Sequence, residues 1–241
     1  MKSILQNIIA YTHNLGFVNL VKITGTEDSL ILSAKAEDSS ILVTGTFNDP
    51  CAEIMGVFGM PNLSKLKTIL SFDDYDADAK IEIIRKASDN NPEKIHFETK
   101  GGDFVNDYRL MATNFVEELI KPFQYKGKGW DVTCEPTAAS ILRLKKQAQA
   151  NSEETTFKIK AEDNNLMFYF GDAATHSGYF VFATNVEGTL TRDWQWPINQ
   201  VISILSLPGD KLFRINDQGA VEIVIDSGLA VYSYFIPALT K

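Results

Sequence analysis

Leu63-Ser64-Lys65-Leu66-Lys67-Thr68-Ile69-Leu70-Ser71-Phe72 is matched, 135 residues further on, by Ile198-Asn199-Gln200-Val201-Ile202-Ser203-Ile204-Leu205-Ser206-Leu207. Leu63, Leu66, Ile69 and Leu70 lie over Ile198, Val201, Ile204 and Leu205, apolar at helical spacing, and Ser71-Phe72 lies over Ser206-Leu207. A second pair shares nearly the same offset. Shifted by 136, Val21-Lys22-Ile23-Thr24 covers Phe157-Lys158-Ile159-Lys160, Glu27 covers Asp163, Leu30 covers Leu166 and Ile31 covers Met167. Two separated segments with almost one offset read as an internal duplication. The alternative is chance similarity between amphipathic segments.

Outward from these segments, both halves show one order of elements. A helix is expected at about 3–14 and again at 137–149. Strands follow at 18–24, 29–35 and 40–47, then at 155–161, 165–171 and 177–184. The turns Gly25-Thr26-Glu27-Asp28 and Glu162-Asp163-Asn164-Asn165 carry hairpin chemistry. A second helix is expected at 62–71 and 197–206, each opened by a proline, Pro61 or Pro197, suited to a first helical turn. Strands at 80–86, 94–100 and 104–111, then 211–216, 220–226 and 229–236, close the halves, with hairpins at Asp217-Gln218-Gly219 and Asp226-Ser227-Gly228. Each half thus reads as two strand–helix–strands units of an α+β fold. Between them Ala112 to Gly129, with Pro122 and Lys126-Gly127-Lys128-Gly129, reads as a connector held against the surface by its apolar residues.

The chain has 241 residues, a net charge of −8 and 44% apolar residues. This is ordinary globular composition for one large domain or two modest ones. No apolar run reaches the ~20 residues of a membrane span. The polar start Met1-Lys2-Ser3-Ile4-Leu5-Gln6-Asn7 is not expected to be a signal peptide. Cys51 and Cys134 suit a reducing cytoplasm as simple buried thiols. Net acidity argues against gripping nucleic acid by bulk charge, but not against a small basic patch.

Such a patch is suggested by the helices. At 100° per residue, Ile141, Leu142, Leu144 and Ala148 share one side of the third helix, Arg143 and Lys146 face away, and Lys145 sits at the boundary. Lys65 and Lys67 flank the apolar arc of the second helix. The fourth turns Ile198, Val201, Ile204 and Leu205 inward and Asn199, Gln200, Ser203 and Ser206 outward. The first buries Ile4, Leu5, Ile8 and Ile9 and shows Gln6, Asn7 and Asn14. None of the four outward faces has a carboxylate, in a chain with 31 acidic residues. A solvated helix face explains lysines on one helix; four faces without an acid favour an anionic partner.

Enzyme motifs are missing. No phosphate-cradling loop, dinucleotide fingerprint, zinc-protease helix, paired-cysteine motif or nucleophile elbow occurs. The acidic run Asp73-Asp74-Tyr75-Asp76-Ala77-Asp78 begins like a calcium loop. It has Ala79 where glycine is required and Arg85 where a bidentate glutamate is required, so it reads as a solvated turn. His13, His96 and His176 fall in separate elements and make no triad. Trp194 and Trp196 read as core residues ahead of the fourth helix. No catalytic residue, metal or cofactor is expected.

At this point the chain resembles the DNA sliding clamps, the family of proliferating-cell-nuclear-antigen and of bacteriophage clamps. The likeness rests on the doubled halves, on the acid-free helices and on three stretches. Asp107-Tyr108-Arg109-Leu110-Met111 before the connector resembles the end of a first clamp domain. Tyr232-Ser233-Tyr234-Phe235-Ile236-Pro237-Ala238 resembles the aromatic strand and proline turn that close the second, and Leu63–Phe72 resembles a clamp helix. The size fits a phage clamp; the acidic C-terminal tail of some relatives is missing.

The resemblance implies two tandem duplicated clamp domains, 1–112 and 130–241, joined by 113–129, with helices on one face of antiparallel sheets. It implies a homotrimeric ring around duplex DNA, without sequence preference, that tethers the replicative DNA polymerase. Lys65, Lys67, Arg143, Lys145 and Lys146 would then face DNA. Edge strands near Val105–Met111 and Thr175–Phe182 would join subunits, through Val105, Tyr108, Leu110, Ser177, Tyr179 and Val181. Leu119, Ile120, Phe123, Ile236 and Pro237 would line a pocket for peptides of the polymerase and the clamp loader. No membrane role and a cytoplasmic location, in a bacterial host for a phage protein, follow from the same resemblance. The competing reading is a non-enzymatic structural or interaction protein of a phage particle built from duplicated sheets.

Overall fold

The computed structural model describes every residue except Gln124, Lys126, Lys128, Thr175, Thr240 and Lys241. It divides into two units, Met1–Phe123 with Ser227–Tyr232, and Gln124–Asp226 with Ser233–Lys241.

In the first unit, helix α1 (Lys2–Tyr11) leads through a 3-10 turn into strands β1 (Leu20–Gly25), β2 (Leu30–Lys35), β3 (Leu42–Phe47) and β4 (Gly56–Pro61), in antiparallel order β4-β1-β2-β3. Helix α2 (Leu63–Leu70) packs beside α1. Strands β5 (Lys80–Arg85), β6 (Pro92–Glu98) and β7 (Val105–Arg109) make a second sheet, and α3 (Thr113–Leu119) lies on β4. Leu5, Ile8 and Ile9 of α1, Leu63, Leu66 and Ile69 of α2, and Val21, Ile23, Leu32 and Val43 of the sheet are all buried. Burying such side chains, at about 1.5–3 kcal/mol each, is what holds helices this short.

The second unit repeats the plan. After β8 (Val132–Cys134) come α4 (Ala138–Ala150), β9 (Thr156–Glu162), β10 (Asn165–Gly171), β11 (Ser177–Thr184) and β12 (Gln195–Pro197), in the order β12-β9-β10-β11. Helix α5 (Ile198–Leu205) packs beside α4, and β13 (Asp210–Asn216), β14 (Ala220–Asp226) and β15 (Ala230–Pro237) follow. The first residues of β15 belong to the first unit.

The duplication extends to strand register. Val21 pairs with Ala34 and Met60; 136 residues on, Phe157 pairs with Phe170 and Trp196. Lys22–Ser33 and Ile23–Leu32 likewise become Lys158–Tyr169 and Ile159–Phe168. The acidic run interrupts the correspondence. Phe72 leads to β5 through seven residues, whereas Leu207 leads to β13 through two. Within that longer turn Tyr75 is fully buried, packs against Phe97 and Phe104 at 5.5 Å, and accepts a 2.7 Å hydrogen bond from Asn106. The aspartates around it are exposed.

Several expectations need correction. Pro61 and Pro197 do not open helical turns. Each ends a short strand, β4 or β12, and the helix begins after it. Neither strand was expected, nor was β8. The first seven residues of the expected connector are helical, with Val116 buried and Thr113 Oγ1 donating to Val57 O at 2.6 Å. Leu142 is 53% exposed, because the buried line of α4 runs through Ser140 and Leu144. Asn7 is not free on its face: its Oδ1 accepts from Tyr232 Oη at 2.8 Å. Both cysteines are only partly buried, and the remaining burial of Cys134 pushes its thiol up to about 12. Trp196 is buried, whereas Trp194 is half-buried and donates to Asp217 O at 2.9 Å.

Candidate functional site

Three surfaces carry the sequence-derived residues. The first is the helices. Lys65 and Lys67 on α2, and Arg143, Lys145 and Lys146 on α4, are all exposed, and among the described residues none has an ion-pair or hydrogen-bond partner. Thr137 caps α4, its hydroxyl accepting from Ser140 N at 3.1 Å, so one of the free amides at that helix start has its partner within the chain. What Lys65, Lys67, Arg143, Lys145 and Lys146 offer an anion is exposed side-chain charge. The outward residues of α1 and α5 include Ser3, Gln6 and Asn199, which are neutral.

The second surface is a pair of sheet edges. Strand β7 ends the β5-β6-β7 sheet, and β11 ends the four-stranded β12-β9-β10-β11 sheet. Hydrogen-bond parity shows what they expose. Thr99 N donates to Phe104 O at 3.1 Å and Leu110 N to Glu93 O at 2.9 Å. Even-numbered residues of β7 therefore bond to β6, and Val105, Asp107 and Arg109 turn their main-chain groups to the open edge. Met111, next in that series, indeed bonds away from β6, to Gly59 at 2.8 Å.

On the other edge, Asp163 and Asn164, at φ 49° and 60°, make a two-residue turn between β9 and β10. The bonded pair Glu162–Asn165 that closes it commits Tyr169 to β9. Tyr179, opposite Tyr169, thus points its main-chain groups outward, and Gln147 Nε2 donates to its carbonyl at 3.4 Å. Ser177 and Val181 share that parity. Side chains follow suit: Val105 is 46% and Tyr179 64% exposed. Tyr108 and Leu110 are buried inside their own unit, Tyr108 Oη donating to Pro61 O, so they are removed from the set of side chains that can reach a partner. Thr175 lies outside the described residues. On the outer face of β6 and β7, Lys94 and His96 hydrogen-bond Asp107 at 2.6 and 2.8 Å and hold its carboxyl below the usual range.

The third surface is an apolar groove in the first unit. Leu119, Ile120, Pro122 and Phe123 form one wall, and residues of the β2–β3 hairpin from Ser33 to Thr44 form the other. The cavity is about 280 Å³. A second cavity of about 250 Å³ shares Leu119, Ile120 and Lys35 with it. Leu119 and Phe123 are exposed at its rim. Ile236 is fully buried in the second unit, which removes it as a lining residue; Pro237 is exposed there. Lys126 and Lys128 of the connector lie outside the described residues. The groove's hairpin wall, including Lys35, Leu42 and Val43, was not foreseen. The alternation Ser33, Lys35 on β2 was the available signal, since it places both on the face away from buried Leu32 and Ala34.

Among the described residues no group of histidine, cysteine or acidic side chains is placed to hold a metal ion, and no helix is long and apolar enough to cross a membrane.

No protein-family model matches the sequence, and no curated protein matches it. Solved structures do. Similar chains include PCNA from Thermococcus kodakaraensis, with TM-score 0.70, 14% identity, and 99% of this chain and 97% of that one covered. A. fulgidus PCNA bound to the C-terminal region of FEN-1 matches at TM-score 0.69 and 11% identity, covering 100% and 95%. The PCNA2–PCNA3 complex of Sulfolobus tokodaii matches at 0.64 and 9%, covering 98% and 94%. The chain has the duplicated α+β fold of the PCNA-type sliding clamps.

Proposed function

We propose that this protein is a sliding clamp whose three copies close a ring around duplex DNA and tether a replicative DNA polymerase. The observation that carries the reading is the exposed, unpaired set Lys65, Lys67, Arg143, Lys145 and Lys146 on acid-free helices of a clamp fold, in a chain of net charge −8. A few exposed cations hold phosphates loosely and read no base, as sliding requires. Retention then comes from enclosure, and the acidic remainder of the chain repels DNA from other faces.

Subunits join by antiparallel pairing of β7 with β11, through the outward main-chain groups of Val105, Asp107, Arg109, Ser177, Tyr179 and Val181. The S. tokodaii complex of two PCNA chains supports clamp-to-clamp association as a use of this fold. The A. fulgidus PCNA–FEN-1 structure supports a peptide from a partner protein, here of the polymerase or clamp loader, as the occupant of the groove at Leu119, Ile120 and Phe123. The division into domains 1–112 and 130–241 about a connector at 113–129 belongs to the same reading, as do a phage origin, a cytoplasmic site of action and a non-enzymatic role.

Retention tests the proposal. Protein loaded on closed circular DNA stays bound through gel filtration and is lost at least tenfold faster once the circle is cut; equal loss from both overturns enclosure. The double variant Arg143→Glu, Lys146→Glu is expected to lower loading or processive synthesis by about tenfold or more, since removing a cation from a phosphate and putting an anion in its place both weaken a salt-dependent attraction. Its oligomeric mass stays unchanged. Unaltered loading removes these two residues from the DNA face.

A further inference from the structure

We infer that the occupant of the Leu119–Phe123 groove is a short peptide that pairs its apolar side chains with a carboxylate, read by Lys35 and Lys121. The inference rests on the peptide-docking reading above and specifies its ligand.

Apart from these two lysines, the larger cavity has no titratable lining residue. Lys35 is half-buried on β2, directly opposite Leu42 of β3, and it lines both cavities. Lys121 follows Ile120 on the facing wall and is exposed. Neither has an ion-pair or hydrogen-bond partner among the described residues. A third lysine, Lys22, stands on the same face of the sheet opposite Ser33, with its stem buried. Among the described residues lining the two cavities Glu37 is the one acid, and it lines the adjoining cavity. A net-acidic protein that leaves cations of one sign along an apolar groove favours an occupant of the opposite charge. The side-chain-sized cavities suit apolar anchors, and two lysines on opposite walls suit one carboxylate between them. A half-buried ammonium is screened less than a surface one, so the pair contributes to affinity as well as to steering.

The carboxylate has two possible sources, an Asp or Glu side chain or the free C-terminus of the partner. A display selection of random 12-residue peptides with free C-termini, run against the full chain, separates them. Binders that fail on the Leu119→Ser variant, which marks the groove, are expected to carry an acidic residue or a terminal anchor. In a selected peptide, Glu→Gln or Asp→Asn, or C-terminal amidation, identifies which carboxylate is read and weakens binding about fivefold or more. The same loss appears with Lys35→Gln or Lys121→Gln in the protein, and raising salt from 50 to 500 mM diminishes it. Groove binders that are neutral or basic, and indifferent to Lys35→Gln and Lys121→Gln, overturn the carboxylate and leave peptide docking standing. A selection that yields no peptide sensitive to Leu119→Ser overturns peptide docking itself, and a second copy of the chain would then be the occupant to test by oligomeric mass.

Discussion

If subunits close the proposed ring through the edges of β7 and β11, Asp107→Pro is expected to turn the oligomer into a folded monomer. The reason lies in parity. Thr99–Phe104 and Glu93–Leu110 are bonded pairs across β6 and β7, so Asp107 N–H faces the open edge and serves no bond within its own sheet. Proline there removes no internal ladder bond, which is the condition under which sheets tolerate it. It does remove a donor from the edge and places a ring in the path of an approaching strand. Without that donor the partner's carbonyl is buried and unpaired, and with the missing bond this costs about 2–4 kcal/mol per interface, or about 30- to 1000-fold in association. Each interface of the proposed ring would bear the loss. The Lys94 and His96 bonds to Asp107 also go, but exposed pairs of this kind contribute little. Tyr179→Pro on the other edge should act alike. The control is one residue away. Asn106 bonds to β6, so Asn106→Pro attacks the sheet itself and lowers the melting temperature. Sedimentation and thermal melting together separate the two effects. An oligomer that survives both Asp107→Pro and Tyr179→Pro would show that these edges do not join subunits.

The duplication was readable because it is written into hairpins. Val21–Ala34 and Phe157–Phe170 share a register, and register is dictated by alternation along the strand and by turn length, both local properties. What escaped notice was strand made of poor strand formers. Gly56-Val57-Phe58-Gly59-Met60-Pro61 has two glycines and a terminal proline, a composition that argues against a strand. The structure explains Gly59. A Cβ there would lie 2.9 Å from Val116 Cγ2 and 3.0 Å from Met111 Cβ, so the glycine allows the close approach of α3 and of Met111, two residues beyond β7. That reason is tertiary and has no periodicity. Its counterpart β12 spans three residues, too few for a pattern.

The candidate surfaces were legible to the degree that one element builds them. Charges on a helix face follow from spacing alone, and Lys65, Lys67, Arg143, Lys145 and Lys146 all emerge into solvent. Leu142 did not follow, because a thirteen-residue helix lying on a sheet buries a narrower arc than its apolar residues suggest. The groove needs two distant segments. Its connector wall was named from sequence, while its hairpin wall comes from residues some eighty positions earlier, and the pairing of Leu119 with Lys35 across it has no local signature. Ile236 was misassigned for the converse reason: an apolar residue beside a proline turn reads equally as rim or as core, and alternation along β15 settles it as core.

Tyr232→Ala is expected to destabilise the first unit by about 3–5 kcal/mol, the range for truncating a large buried aromatic. Tyr232 is fully buried, stacks on Tyr11 at 4.8 Å with 8° between planes, and meets the edge of Phe47 at 6.4 Å. Its hydroxyl donates to Asn7 Oδ1 at 2.8 Å, and burial raises its pKa far above the phenol range. The ring lies against Gly45, where a Cβ would come within 2.8 Å of Tyr232 Cε1. These contacts secure Ser227–Tyr232, far along the chain, within the first unit. Two further variants divide the effect. Tyr232→Phe keeps the stacking and removes one hydrogen bond to a partly buried acceptor, so it should cost about 1–2 kcal/mol. Gly45→Ala keeps every partner of the ring and crowds it, at about 1–3 kcal/mol. Urea unfolding of the full-length chain, read by a probe in α1, measures all three. An order other than alanine worst, or a Tyr232→Ala loss below about 1 kcal/mol, would mean that this aromatic cluster does not anchor the segment. Where the prediction holds, Tyr11 and Asn7 of α1 lose their contact with Tyr232 while the exposed cations of α2 keep their charge. If the protein loads on DNA as proposed, a loading defect in Tyr232→Ala that a lower temperature restores would report helix placement, which charge reversal at Arg143 and Lys146 leaves intact.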